Sequence, residues 1–357
     1  MKSVAVLWMG VFLFALLAIG AAAPRVAHAG LNDSQEPGSV LVFPYFRKGT
    51  VPSNQSATHP KTEIEISVTC PRGTQCVEGG LNTGEAVRLQ ALWVCPGDAT
   101  NPICGKVPFD LETTVNGTLF FHPTQEGALS GAAVVPEAPC ARGFLIVWVV
   151  DQQNRPIKYD GLIGNAVVRE QTNSAVGYNA VGIQAGLLLP VRAPTDRHFG
   201  PGGFNGRLDF NGIEYMPVAG KIFGTVRYPR PSDATQPPLD DTRLILLTLD
   251  VAAGQPNQPT SVGLDFFKAD ETLSSDSVDF VCWTRVRLTD INPNFTSAVM
   301  GRKGQVESTS ALQAGRSVTL MGLVQTEELN PGNQAITHDW IYSLNTGGRP
   351  VPTRFAP

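Results

Sequence analysis

Charge is scarce in this chain. Asp, Glu, Lys and Arg make up only 16% of its 357 residues. Long amphipathic helices need charged residues along their wet face, so this shortage argues against a helical protein. Histidine is scarcer, at five residues, and none stands in H-E-x-x-H, which removes the zincin signature. No G-x-S-x-G elbow is present; the nearest stretch, GALSG at 127–131, has its serine displaced. No C-x-x-C pair or Cys/His cluster signals a metal ion. No glycine-rich phosphate loop follows a strand and opens a helix, so no nucleotide cofactor is expected. Basic residues are outnumbered by acidic ones, 27 to 31, which argues against nucleic acid as a partner. Past residue 29 the longest apolar run is GFLIVWVV (143–150), too short to span a membrane as a helix.

What is present begins with a segment outside the fold. Lys2 gives a short basic start, Val4 to Ile19 an apolar stretch, and Ala27-His28-Ala29 a small-x-small cleavage site. Residues 1–29 therefore predict a secretory signal peptide, and with it a periplasmic, cell-surface or extracellular destination and no membrane span after cleavage.

The remainder reads as strands. With 36 glycines and 28 prolines, the chain is rich in turn formers. TEIEISVT (62–69) alternates Ile64, Ile66 and Val68 against Glu63, Glu65 and Ser67, the period of a strand with one wet face. AVRLQALWV (86–94) follows the same rule, and GFLIVWVVD (143–151) is apolar on both faces, as an interior strand should be. Asn116-Gly117 and Asn211-Gly212 sit between strand-like runs and predict type I′ hairpin turns. A short turn of helix is expected near 292–300. The two halves share a pattern of strands, as a duplication would. These features predict tandem antiparallel β-sandwiches of the Ig-like, Greek-key type, at 30–190 and 207–357, joined by a Pro/Gly-rich linker at 191–206.

Six cysteines follow the signal segment: Cys70, Cys76, Cys95, Cys104, Cys140 and Cys282. An even number in an oxidising compartment predicts disulfides. Spacing suggests Cys70–Cys76 and Cys95–Cys104 as local staples, leaving Cys140–Cys282 as the long-range pair. GSVLVFPYF (38–46) is apolar on both faces, yet Pro44 cannot donate to a ladder, so this strand should be an edge or bulged. It reads as the first strand of a sandwich; the sharper alternative is an assembly strand, Val40, Leu41, Val42, Phe43, Pro44 and Tyr45, offered to another molecule.

Candidate chemistry is thin. His59, His122, His198 and His338 are scattered in loops or at strand ends. Glu63 with Glu65, Asp240-Asp241, Asp270-Glu271 and Glu327-Glu328 read as solvated neighbours, not as carboxylates facing across a cleft. Asp209 to Glu214 lacks the spacing of a calcium loop and reads as the Asn-Gly turn. Trp93, Trp148, Trp283 and Trp340 each lie in an apolar strand pattern and are expected in the core. Tyr159, Tyr178 and Tyr228, near loops, are the expected ligand contacts.

GSVLVFPYF, PIKYDGLIGNAVVRE (156–170), FVCWTRVRLTDI (280–291) and MGRKGQVEST (300–309) resemble a loose group of exported bacterial β-rich proteins. The resemblance implies export and brings no catalytic residue. The functional expectation is a secreted, non-enzymatic protein with a structural or binding role. It would meet other envelope or extracellular proteins, or itself through an edge strand. The alternatives are a glycan-binding module and a hydrolase whose site the sequence does not signal.

Overall fold

The computed structural model describes residues 36–49, 61–69, 86–97, 103–124, 127–128, 134–170, 174–186, 208–230, 240–250, 259–268, 270–330, 336–351 and 353–355. The expected signal peptide and linker, and Cys70, Cys76, His59 and His198, lie outside the described residues.

The first half contributes β1 (Val40–Arg47), β2 (Lys61–Val68), β3 (Ala86–Cys95), β4 (Gly105–Thr114), β5 (Thr118–Phe121), β6 (Gly127–Ala128), β7 (Val134–Val135), β8 (Arg142–Val150), β9 (Leu162–Arg169), β10 (Val176–Asn179) and β11 (Val181–Ile183). The second half contributes β12 (Leu208–Phe210), β13 (Val218–Arg227), β14 (Asp240–Leu247), β15 (Thr260–Phe267), β16 (Leu273–Phe280) and β17 (Trp283–Arg287). It continues with β18 (Lys303–Gln313), β19 (Arg316–Ser317), β20 (Met321–Leu329), β21 (Ile336–Ser343), β22 (Asn345–Val351) and β23 (Thr353–Phe355). Single helical turns, α1 (Leu288–Ile291) and α2 (Ser297–Met300), fall at and beside the expected position.

These strands form four large antiparallel sheets. Blade I runs β11-β1-β8-β3-β4 and blade II β10-β9-β2-β5. Blade III runs β16-β15-β18-β13-β22, with β19 on β18, and blade IV runs β17-β14-β20-β21. The all-β expectation holds, but the expected pair of Ig-like, Greek-key β-sandwiches is corrected: the four sheets read as the four blades of a β-propeller arrangement. Two observations separate this from two independent sandwiches. Blade IV is buried on both faces, with Leu244, Leu246 and Val324 in one core and Ile245, Leu247, Met321 and Leu323 in the other. That second core is continuous with Val40, Trp93 and Trp148 of the first half. Within the blades the strand order is not a simple meander of sequence neighbours.

Burial follows the alternation read from sequence. Ile64, Ile66 and Val68 of β2 are buried while Glu63, Glu65 and Ser67 are half-exposed. β8 lies between β1 and β3 and is buried from Gly143 to Val150. The Asn-Gly turns differ from expectation. Asn116-Gly117 joins β4 of blade I to β5 of blade II, and only Asn116, at φ 64°, takes the left-handed conformation. Asn211-Gly212 is a tight turn in which the Asn211 side chain accepts from the backbone of Ile213 and Glu214. β12, before that turn, pairs with the C-terminal β23 instead of closing a hairpin.

β1 is bulged, as Pro44 requires: its register on β8 shifts between Phe43 and Phe46. It is not an open edge over Val40–Val42, where β11 covers its other side. Past Val42 side chains replace the missing strand. The Trp283 indole donates to the Pro44 carbonyl at 2.8 Å. The Tyr178 hydroxyl accepts from the Tyr45 amide at 3.2 Å and donates to the Tyr45 carbonyl. Val40, Leu41, Val42, Phe43 and Tyr45, named as the alternative assembly strand, are all buried within their own chain.

Two disulfides lie among the described residues, and both correct the spacing argument. Cys95 pairs with Cys140, and Cys104 with Cys282. The reason is the pleat. Cys95 is register partner to Gly105, so Cys104, one residue away, points to the opposite face. Proximity in sequence placed the two cysteines side by side but back to back.

Candidate functional site

In a chain with so little charge, two of the buried carboxylates among the described residues, Glu170 and Glu327, share one network of arginines. Glu170, just past β9, has a side chain only 4% exposed. Arg47 from β1, Arg142 from β8 and Arg285 from β17 all reach it. The Tyr45 hydroxyl donates to the same carboxylate, and Arg142 Nε donates to that hydroxyl at 3.2 Å. Burial works to raise the Glu170 carboxyl, but Arg285, Arg47, the Tyr45 hydroxyl and Arg142 hold it down at about 2.

Arg285 is the hub. Its Nη2 lies 3.3 Å from Glu170 Oε1 and 3.0 Å from Glu327 Oε1, joining the end of β9 to β20. The same guanidinium donates to Gln325, which is fully buried and donates in turn to Glu327 and Asp339. Asp339 stands directly opposite Glu327 in the β20–β21 register. Burial, then the charges of Glu327 and Glu170, push the Asp339 carboxyl up to about 7, against the Gln325 amide and Arg285. A group poised there is where acid–base chemistry or a pH response is expected. Sequence reasoning missed this network. It took Glu327-Glu328 for a solvated pair, whereas Glu327 is buried and salt-bridged to Arg243 and Arg285. The signal was partial: Gln325 and Glu327 follow the apolar start of β20, MGLV, and share its buried stretch.

The other face of β21 carries the candidate binding surface. A groove of about 320 Å³ is lined by Thr225, Arg227, Lys303, Thr326, Trp340 and Tyr342, among others. It opens where β21 of blade IV crosses β13 and β18 of blade III. Trp340 was expected in the core, yet it is 38% exposed. The pattern of HDWIYS explains why: Ile341 faces inward, so Trp340 and Tyr342 face out. The Arg227 guanidinium lies over the Trp340 ring, 5.2 Å from its centroid, and the His338 ring stacks 5.7 Å away. The Tyr342 hydroxyl donates to the Thr225 carbonyl at 2.8 Å, closing the groove floor. A second groove, about 420 Å³ and more polar, runs between β9–β10 and β21 past Asn165, Asn179 and Ser343.

The expected ligand tyrosines are framework instead. Tyr159, Tyr178 and Tyr228 are buried, and their hydroxyls donate to the carbonyls of Thr69, Tyr45 and Phe267. Trp93, Trp148 and Trp283 are buried as expected. His122 follows β5 in blade II and His338 lies on β21, so the two are not brought together. No group of three or more His, Cys, Asp or Glu able to hold a metal ion occurs among the described residues. No described helix is long and apolar enough to cross a membrane.

No family model matches the chain. No curated protein matches it either. Two solved structures align at low similarity. One is an oxalate decarboxylase, at 9% identity and a TM-score of 0.16, covering 87% of this chain and 71% of that one. The other is the CupB6 tip adhesin from Pseudomonas aeruginosa, at 8% identity and a TM-score of 0.14, covering 91% and 95%. Likenesses this faint carry no argument about fold or function.

Proposed function

We propose that the protein is exported and acts, without catalysis, as a binding protein of the bacterial envelope or its surroundings, with the Trp340 groove as its binding surface. The observation that carries this reading is Trp340 itself. A large aromatic left exposed beside a half-buried tyrosine and two cations is an anchor of the kind that dominates binding energy. The glycan-binding alternative is favoured by the same residue, because flat aromatic rings pack against sugar faces. Signal-peptide export follows from residues 1–29.

Two measurements test the reading. Fractionation of cells expressing the full chain should place a form beginning at Gly30 outside the cytoplasm; an uncleaved cytoplasmic product would overturn export. The exported chain, held against an array of extracellular glycans, should retain ligands that Trp340→Ala loses. A folded Trp340→Ala variant with unchanged retention would remove the groove as the binding surface.

A further inference from the structure

The groove contains an electrostatic arrangement that the fold alone does not account for. Arg227 on β13 and Lys303 on β18 are direct register partners. Like charges opposite one another on paired strands destabilise a sheet. Neither has a carboxylate within ion-pair distance among the described residues. The surrounding arginines contrast with them: Arg230 and Arg302 both reach Asp240, and Arg230 also reaches Glu328. The nearby acids are thus engaged by other cations and do not neutralise the pair. Both cations line the same groove as Trp340 and Tyr342.

We infer that the groove binds a carboxylated sugar, its carboxylate between Arg227 and Lys303 and its ring against Tyr342 and the exposed part of Trp340 that Arg227 and His338 leave open. This rests on the reading of the groove as the binding surface and names the ligand class. An anion there relieves the repulsion between the two cations, and Arg227 offers the planar fork that suits a carboxylate. The aromatic wall supplies apolar contact for the ring. The volume lies at the small end of the roughly 300–1,000 Å³ of ligand clefts, which suits one or two sugar units. A nucleic acid fits poorly: two cations on a chain of net charge −4 suit an isolated charge, not a dense row of phosphates.

The test uses one sugar in two charge states. Oligogalacturonate and its fully methyl-esterified form are titrated into the exported chain by calorimetry. The acidic form should bind about tenfold more tightly than the ester, as loss of a charge-assisted hydrogen bond predicts. Arg227→Gln should reduce that difference, Arg227→Gln with Lys303→Gln should erase it, and added salt should weaken only the acidic form. Equal binding of both forms, lost in Trp340→Ala, would overturn the anion inference and leave the binding surface standing. Failure of both forms to bind would overturn the inference outright. Acid-selective binding untouched by Arg227→Gln and by Trp340→Ala would sink the inference and the groove together.

Discussion

Asp339 and Glu170 belong to one buried network yet are driven in opposite directions. Glu170 meets three guanidiniums and a hydroxyl, so its charge is favoured. Asp339 is buried and faces Glu327 across the ladder, with the Gln325 amide as its donor, so its charge is penalised. The consequences for stability have opposite signs. A carboxyl whose folded value is raised to about 7 contributes stability below its unfolded value of about 4. That contribution is lost as pH rises toward 7. Glu170, depressed to about 2, contributes above its unfolded value and loses that contribution as pH falls toward 2. Denaturant unfolding across pH should therefore show stability declining from about pH 4 to 7 in the native protein. In Asp339→Asn that decline should flatten, while the acid limb below pH 4 remains. An unchanged slope in the variant would remove Asp339 as its source.

At the scale of the element, β1 shows how a strand is held where no strand neighbour reaches it. Leu41 and Phe43 pack toward β9, and that close approach depends on Gly164. A Cβ there would collide with Phe43 and Leu41. Gly164→Ala should lower unfolding free energy by ~1–3 kcal/mol through overpacking, measured by urea denaturation. An equal or more stable variant would mean that β1 and β9 separate without cost. The two-sided greasiness of GSVLVFPYF and the bulge at Pro44 were legible from its residues alone. The Trp283 and Tyr178 hydrogen bonds that complete it were not, because they come from residues 239 and 133 positions away. β21 is the converse case. Its alternation was visible, but the apolar richness of HDWIYS suggested core, and only the position of the strand at the rim of blade IV left Trp340 outside.

At the scale of the molecule, the Cys104–Cys282 bridge ties the two halves across 178 residues, against 45 for Cys95–Cys140. Chain entropy scales with the logarithm of the closed loop. Removing both cysteines of the longer bridge should therefore destabilise by about 1 kcal/mol more than removing both of the shorter. Non-reducing peptide mapping should recover these two pairs, and recovery of Cys95 joined to Cys104 would overturn the assignment. The sequence by itself determined where strands lie and which of their faces are apolar, because a period of two depends only on neighbouring residues. It determined the scarcity of charge that makes the buried network conspicuous. Which strands share a blade, which cysteines meet, and why Arg285 bridges Glu170 and Glu327 were decided by the tertiary structure alone. The physical reason is that each of these is a contact between distant segments, selected by packing both faces of blade IV against its neighbours. No local pattern encodes which partner lies across such an interface.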